Sequence, residues 1–225
     1  MDMDMAIHCS PEALPAVVRA REMASRYLDG DRGSHDWEHT LRVYHLCLDI
    51  GPSEGADMAV LLVAALLHDI GRRHQDKSQG DVCHAEQGAA MAADLTAALP
   101  LTEVQKANVV HCVHAHRYRK APHPRTIEAR VLFDADKLDA IGAVGIARVY
   151  QFAGEVGARL HNHNHEVRNT LAYSREDTGY REYQVKLRHI RDRMLTETGR
   201  RVAEGRHRFM VQFFERFLAE IEGRL

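Results

Sequence analysis

The chain is short of most features that would declare a function at once. No apolar run approaches the length of a membrane span; the longest, Ala59-Val-Leu-Leu-Val-Ala-Ala-Leu-Leu67, is far too brief. The N-terminus has neither the basic start nor the apolar core of a secretory signal. Cysteine is sparse: Cys9, Cys47, Cys83 and Cys112 are scattered and form no C-x-x-C. That argues against a disulfide framework and a thiolate zinc site, and for free thiols in a reducing cytoplasm. Charge of one sign is also missing. Thirty Lys/Arg stand against 32 Asp/Glu, for a net charge of −2. A dedicated nucleic-acid binder or a basic membrane-surface protein is not expected. No stretch alternates with period two for long enough to make a strand, and there is no internal repeat.

What is present is helical periodicity and histidine, 16 of them in 225 residues. The length suits one domain with a sizeable core. Ser10-Pro11-Glu12 reads as a helix start, with the helix running to about residue 28. Further helices are expected over about 35–50, 56–68, 84–99, 102–116, 126–139 and 141–155. Thr102-Glu-Val-Gln105 forms a capping box before the helix over 102–116. The helix over 56–68 is apolar all round and should be the central buried one. Residues 71–82 and 118–125 read as loops, and 157–179 as irregular. A long helical stretch from 180 to the end is expected to bend at Thr198-Gly199. The fold class is therefore all-α.

Helix phase then selects the polar residues that face inward. His39 falls on the stripe of Val43, Leu46 and Ile50, and His84 aligns with Gly88, Met91 and Leu95. His116 sits beside Val109, Cys112 and Val113, whereas His111 and His114 lie on the other side. Asp136 shares a side with Leu132, and Asp134 points nearly opposite. His68-Asp69 ends the most apolar helix. A single inward histidine is satisfied by a backbone carbonyl. His39, His68, Asp69, His84, His116 and Asp136 together are costly to bury pairwise, and one or two divalent metals would satisfy them at once. Two imidazoles and two carboxylates suit a first-row ion with open positions for water and substrate. His39, His68, Asp69 and Asp136 make that first set. Asp69, His84 and His116 are the candidate catalytic groups; the two histidines either complete a second metal site or act as acid/base and phosphate contacts. Arg42, Arg72 and Lys137 are candidate phosphate-binding cations. Arg73 and His35 are weaker alternatives of the same kinds.

The ordered set His39, His68-Asp69, Asp136 resembles the H…HD…D signature of the HD superfamily of metal-dependent phosphohydrolases. The strings around it are more specific. HDWEHTLRV (35–43), LLHDIGR (66–72), HAEQGA (84–89) and DADKLDAIGAVGIAR (134–148) resemble a bacterial branch that includes nucleoside-triphosphate pyrophosphohydrolases. Residues 186–198 and Arg206-His207 are similar to that branch too, and the likeness covers roughly 20–220. The resemblance implies one HD-type domain over 1–225, with a core at about 20–155 and a helical extension at about 180–225. It implies one divalent ion, often manganese, magnesium or nickel, with cobalt, iron and zinc left open. Histidines that add a second metal in other HD subgroups fall near His84 and His116. Some HD nucleotidases carry a glutamate three residues after the HD aspartate; here that residue is Arg72. The aromatic-Glu-Lys-Leu string expected before the last helix is Tyr-Gln-Val-Lys-Leu (183–187), so the carry-over there stops at Lys186.

The expected activity is metal-dependent hydrolysis of a phosphoanhydride bond in a (deoxy)nucleoside triphosphate. A phosphodiesterase or nucleoside monophosphatase on the same site, and a non-catalytic nucleotide sensor, stay open. So does the oligomeric state, a homodimer included. His161-Asn-His-Asn-His165 allows a second metal site, a lid or a plain polar loop. The basic stretch 181–208 allows a polyphosphate-attracting pocket wall or a solvated helix.

Overall fold

A computed structural model describes residues 10–28, 37–78, 81–117, 122–162 and 167–225. Its described residues contain helices and turns and no strand, so the architecture is all-α. They divide into two compact units, one reaching to Leu132 and the other starting at Phe133.

The first unit is built on α1 (Pro15–Leu28), α2 (Trp37–Ile50), α3 (Met58–Leu67), α4 (Arg72–Lys77), α5 (His84–Ala97) and α6 (Glu103–Ala115). Its centre is α3. Every residue from Val60 to Leu67 is buried, so this helix has no solvated face, as its composition predicts. It packs against α1, α2 and α6, and α5 packs on α6. The start of α3 is fixed by Asp57, whose carboxylate accepts from the backbone of Ala59 and Val60. The capping box at α6 forms as the sequence spells it, with Thr102 and Gln105 bonding reciprocally.

The loop expected at 71–82 is only partly a loop. Arg72–Lys77 winds into α4 and packs on α5. Its side chains are polar and its length is under two turns, so periodicity carries no signal for it. Gly71 makes the approach to α5 possible: a Cβ there would clash with the His84 carbonyl oxygen and lie 2.6 Å from the Gly88 backbone nitrogen.

Helix α7 (Ile127–Leu138) begins in the first unit and ends in the second, which continues with α8 (Gly142–Glu155), α9 (Gly179–Val185) and α10 (Glu197–Ile221). Residues 157–178 hold no α-helix among those described, so the irregular stretch expected over 157–179 ends one residue earlier. In the second unit α8 packs on α9 and α10, with Tyr180 and Tyr183 against Phe214.

The single bend expected at Thr198-Gly199 is displaced. The chain breaks over 186–196 into two 3-10 turns, and α10 restarts at Thr196, its N-cap. The cause is Asp134. Its buried carboxylate accepts from the backbone of Leu195 and Thr196 at 2.8 Å and from the Thr196 hydroxyl at 2.6 Å. Burial lifts its carboxyl above the usual range, against the pull of those bonds. Asp134→Ala strands two backbone N–H groups and a hydroxyl. Stability should fall by about 3 kcal/mol, seen as a drop in Tm of roughly 6–12 °C. Asp134→Asn, which keeps one acceptor oxygen, should lose less.

Candidate metal centre

Four histidines reach one point of the first unit by different routes. His39 stands on α2, His68 caps the C-terminal end of α3, His84 opens α5 and His116 caps α6. All four are at least 98 % buried, as is Asp69 beside His68. His111 and His114 are half-buried, so helix phase chose the inward histidine of α6 correctly.

The ring nitrogens farther from the centre are anchored. His68 Nδ1 lies 2.8 Å from the Ala65 carbonyl oxygen and His116 Nδ1 lies 2.6 Å from that of Val113. His84 Nδ1 lies 2.7 Å from the Gln75 side-chain oxygen. An oxygen of this kind only accepts, so each Nδ1 carries the proton and each Nε2 presents a bare lone pair. The Nε2 atoms of His84 and His116 face each other at 3.2 Å, and that of His68 lies 3.3 Å from His39 Nε2. Two bare lone pairs at that distance repel. A cation between them removes the conflict, since two imidazole nitrogens at about 2.0–2.1 Å from one tetrahedral ion lie about 3.3 Å apart.

Asp69 supplies the negative charge between the two pairs. Its Oδ2 is 3.8 Å from His39 Nε2 and 3.7 Å from His68 Nε2. Its Oδ1 is 3.5 Å from His84 Nε2 and 3.6 Å from His116 Nε2. Asp69, His84 and His116 each offer a ligand atom within 4.8 Å of the others. Burial pushes the His84 pKa down to about 2, Asp69 opposing and Arg72, His116 and Arg117 adding to the shift. His84 is therefore neutral near pH 7, the state in which imidazole binds metal. The donor set of imidazoles and carboxylate fits a divalent first-row ion.

Of the expected cations, Arg72 is in place: its Nη2 lies 3.3 and 3.4 Å from the two Asp69 oxygens. Arg42 is half-buried on α2, one turn after His39, and Arg73 is half-buried on α4. Asp136 and Lys137 belong to the second unit, on the last turn of α7, and pair with each other. His35 and His163–His165 lie outside the described residues. In the basic stretch, Arg181 bonds Asp177, Arg188 bonds Gln184, Arg191 pairs with Glu204 and Arg206 bonds the Leu138 carbonyl. Those four have protein partners, and the stretch is divided into the end of α9, two 3-10 turns and the start of α10, so it is not one solvated helix. Helix phase missed Gln75 and Arg117, because both lie in segments without apolar periodicity.

This all-helical scaffold with converging histidines and an HD dipeptide is matched by the HD domain family over residues 36–141. The chain belongs to the HD superfamily of metal-dependent phosphohydrolases. It is 34% identical to Bacillus subtilis YpgQ over 217 residues, covering 93% of this chain and 96% of that protein. The crystal structure of YpgQ in complex with ADP superposes with a TM-score of 0.70, at 30% identity, over 91% of this chain and 94% of that one. A predicted HD superfamily hydrolase from an uncultured Thermotogales bacterium gives 0.68 at 30% identity, over 93% and 95%. No helix among the described residues is long and apolar enough to cross a membrane.

Proposed function

We propose that the protein hydrolyses a phosphoanhydride bond of nucleoside triphosphates with the help of one divalent ion. The observation that carries this is the convergence of four buried Nε2 atoms on the Asp69 carboxylate. The ADP complex of YpgQ supports a nucleotide as ligand. His39, His68 and Asp69 hold the ion, with Asp136 as fourth ligand by the order of the family motif. A bound divalent ion supplies Lewis acidity and a water acidic enough to act near neutral pH. His84 and His116 act as bases, a bare Nε2 accepting the proton that the attacking water loses and, once protonated, donating to a phosphoryl oxygen, and Arg72, Arg42 and Lys137 take up phosphate charge. The single-ion form is favoured by Arg72. Its guanidinium already stands on the Asp69 oxygen that faces His84 and His116, where a second cation would be repelled. The whole chain, 1–225, works as one enzyme in the cytoplasm, where Cys47, Cys83 and Cys112 stay free thiols.

A second reading has its own observation. Asp69, His84 and His116 are spaced to hold another ion, which would suit a phosphodiesterase. Elemental analysis of the purified protein, beside a phosphate and pyrophosphate release screen, separates the two. The screen covers nucleoside tri-, di- and monophosphates with Mn²⁺, Mg²⁺, Co²⁺ and Ni²⁺. One metal per chain and pyrophosphate from triphosphates are expected. Two metals with diester cleavage would install the second reading, and metal with tight nucleotide binding but no turnover would make the protein a sensor.

A further inference from the structure

We propose that Gln75 is the positioning residue that sets the tautomer of His84, and so aims the Nε2 lone pair of His84 at Asp69 and His116. The inference rests on His84 being a working group of the site proposed above. Gln75 lies on α4, three residues after Arg72, so one turn of a six-residue helix brings both side chains to the cluster.

Three donors converge on one atom of the Gln75 amide. Arg117 Nη1 is 3.2 Å from it, the His84 backbone nitrogen 3.4 Å and His84 Nδ1 2.7 Å. A guanidinium and a backbone N–H can only donate. The amide group facing them must therefore be the carbonyl oxygen, because an NH₂ there would oppose two fixed donors. His84 Nδ1, on that same oxygen, has to carry the proton, which leaves Nε2 bare. His68 and His116 take the same tautomer from backbone carbonyls three residues earlier, which no side-chain substitution removes. His84 opens its helix and has no such carbonyl in the preceding turn, so a side chain from α4 does the work. Outer partners of this kind fix ring orientation and basicity in metal sites.

The test is a long-range ¹H–¹⁵N spectrum of the histidine rings in ¹⁵N-labelled, Mg²⁺-loaded protein, with phosphate release measured in parallel. Wild type should show His84 protonated at Nδ1 and bare at Nε2. Gln75→Leu should shift His84 toward the Nε2–H form and lower kcat by roughly tenfold to a hundredfold. Gln75→Glu, which still accepts from Nδ1–H, should keep the wild-type tautomer and recover most of the turnover, a rescue that simple loss of packing would not give. An Nε2–H His84 in wild type, or an unchanged tautomer in Gln75→Leu, overturns the proposal. Should Gln75→Leu not fold, the wild-type spectrum and the Gln75→Glu rescue still decide it. Absence of turnover in wild type counts against the proposed reaction, while the spectra continue to judge Gln75.

Discussion

Asp69→Asn should remove metal binding and activity together while leaving the fold in place. Asn has the same size, so the change isolates charge. Asp69 lies between both histidine pairs, with four Nε2 atoms at 3.5–3.8 Å. Without it, the proposed ligand set keeps a single carboxylate, Asp136, and half of the negative charge that offsets the divalent ion is gone. A fall in kcat/KM of at least about a thousandfold is expected, or about 4 kcal/mol of transition-state stabilisation. Calorimetry should show the effect without any substrate. In wild type, metal at about a hundred times its Kd stabilises the fold by roughly 2.7 kcal/mol, which raises Tm by about 5–11 °C. In Asp69→Asn that rise should vanish, whereas the Tm of EDTA-treated protein should change little. The buried anion is itself costly, and its removal relieves the site. Undiminished metal-induced stabilisation in the variant would take Asp69 out of the centre.

The sequence made this centre legible because its histidines sit on helices or at their ends, where the pattern shows the helix bounds. Phase alone placed His39 and His116 inside and left His111 and His114 toward the rim. Phase also turned Asp134 away from Asp136, although nothing in the pattern said what Asp134 would meet. Its partners, Leu195 and Thr196, are about sixty residues away and lie where the chain leaves helical geometry. That contact also explains why the last helix starts at Glu197 and not near residue 180. Gln75 escaped notice for a different reason. It lies in a polar segment that becomes helical only because α5 is there to receive it, so tertiary contact, not local preference, decides that element.

The same contact makes Gly71 a position where the smallest substitution should have a large structural effect. Gly71 and Gly88 face each other across the junction between the His68-Asp69 turn and α5. A methyl group at Gly71 would press on the His84 carbonyl oxygen and stand 2.6 Å from the Gly88 nitrogen, both rigid backbone atoms. Room can be made only by moving α5 away, and α5 carries His84 on its first residue. Gly71→Ala should therefore cost roughly 3 kcal/mol, lower Tm by about 6–12 °C and reduce turnover beyond what the lost stability explains. Gly88→Ala is the control on the other side of the same junction. Its new methyl would find Val113 at 3.4 Å and the Gly71 nitrogen at 3.6 Å, ordinary packing distances. It would also gain up to about 1 kcal/mol of helix propensity. Gly88→Ala is thus expected to be neutral or mildly stabilising and to keep its activity. Equal losses in both variants would mean that the junction tolerates no side chain at all; a silent Gly71→Ala would mean that α5 yields freely and that backbone contact does not position His84.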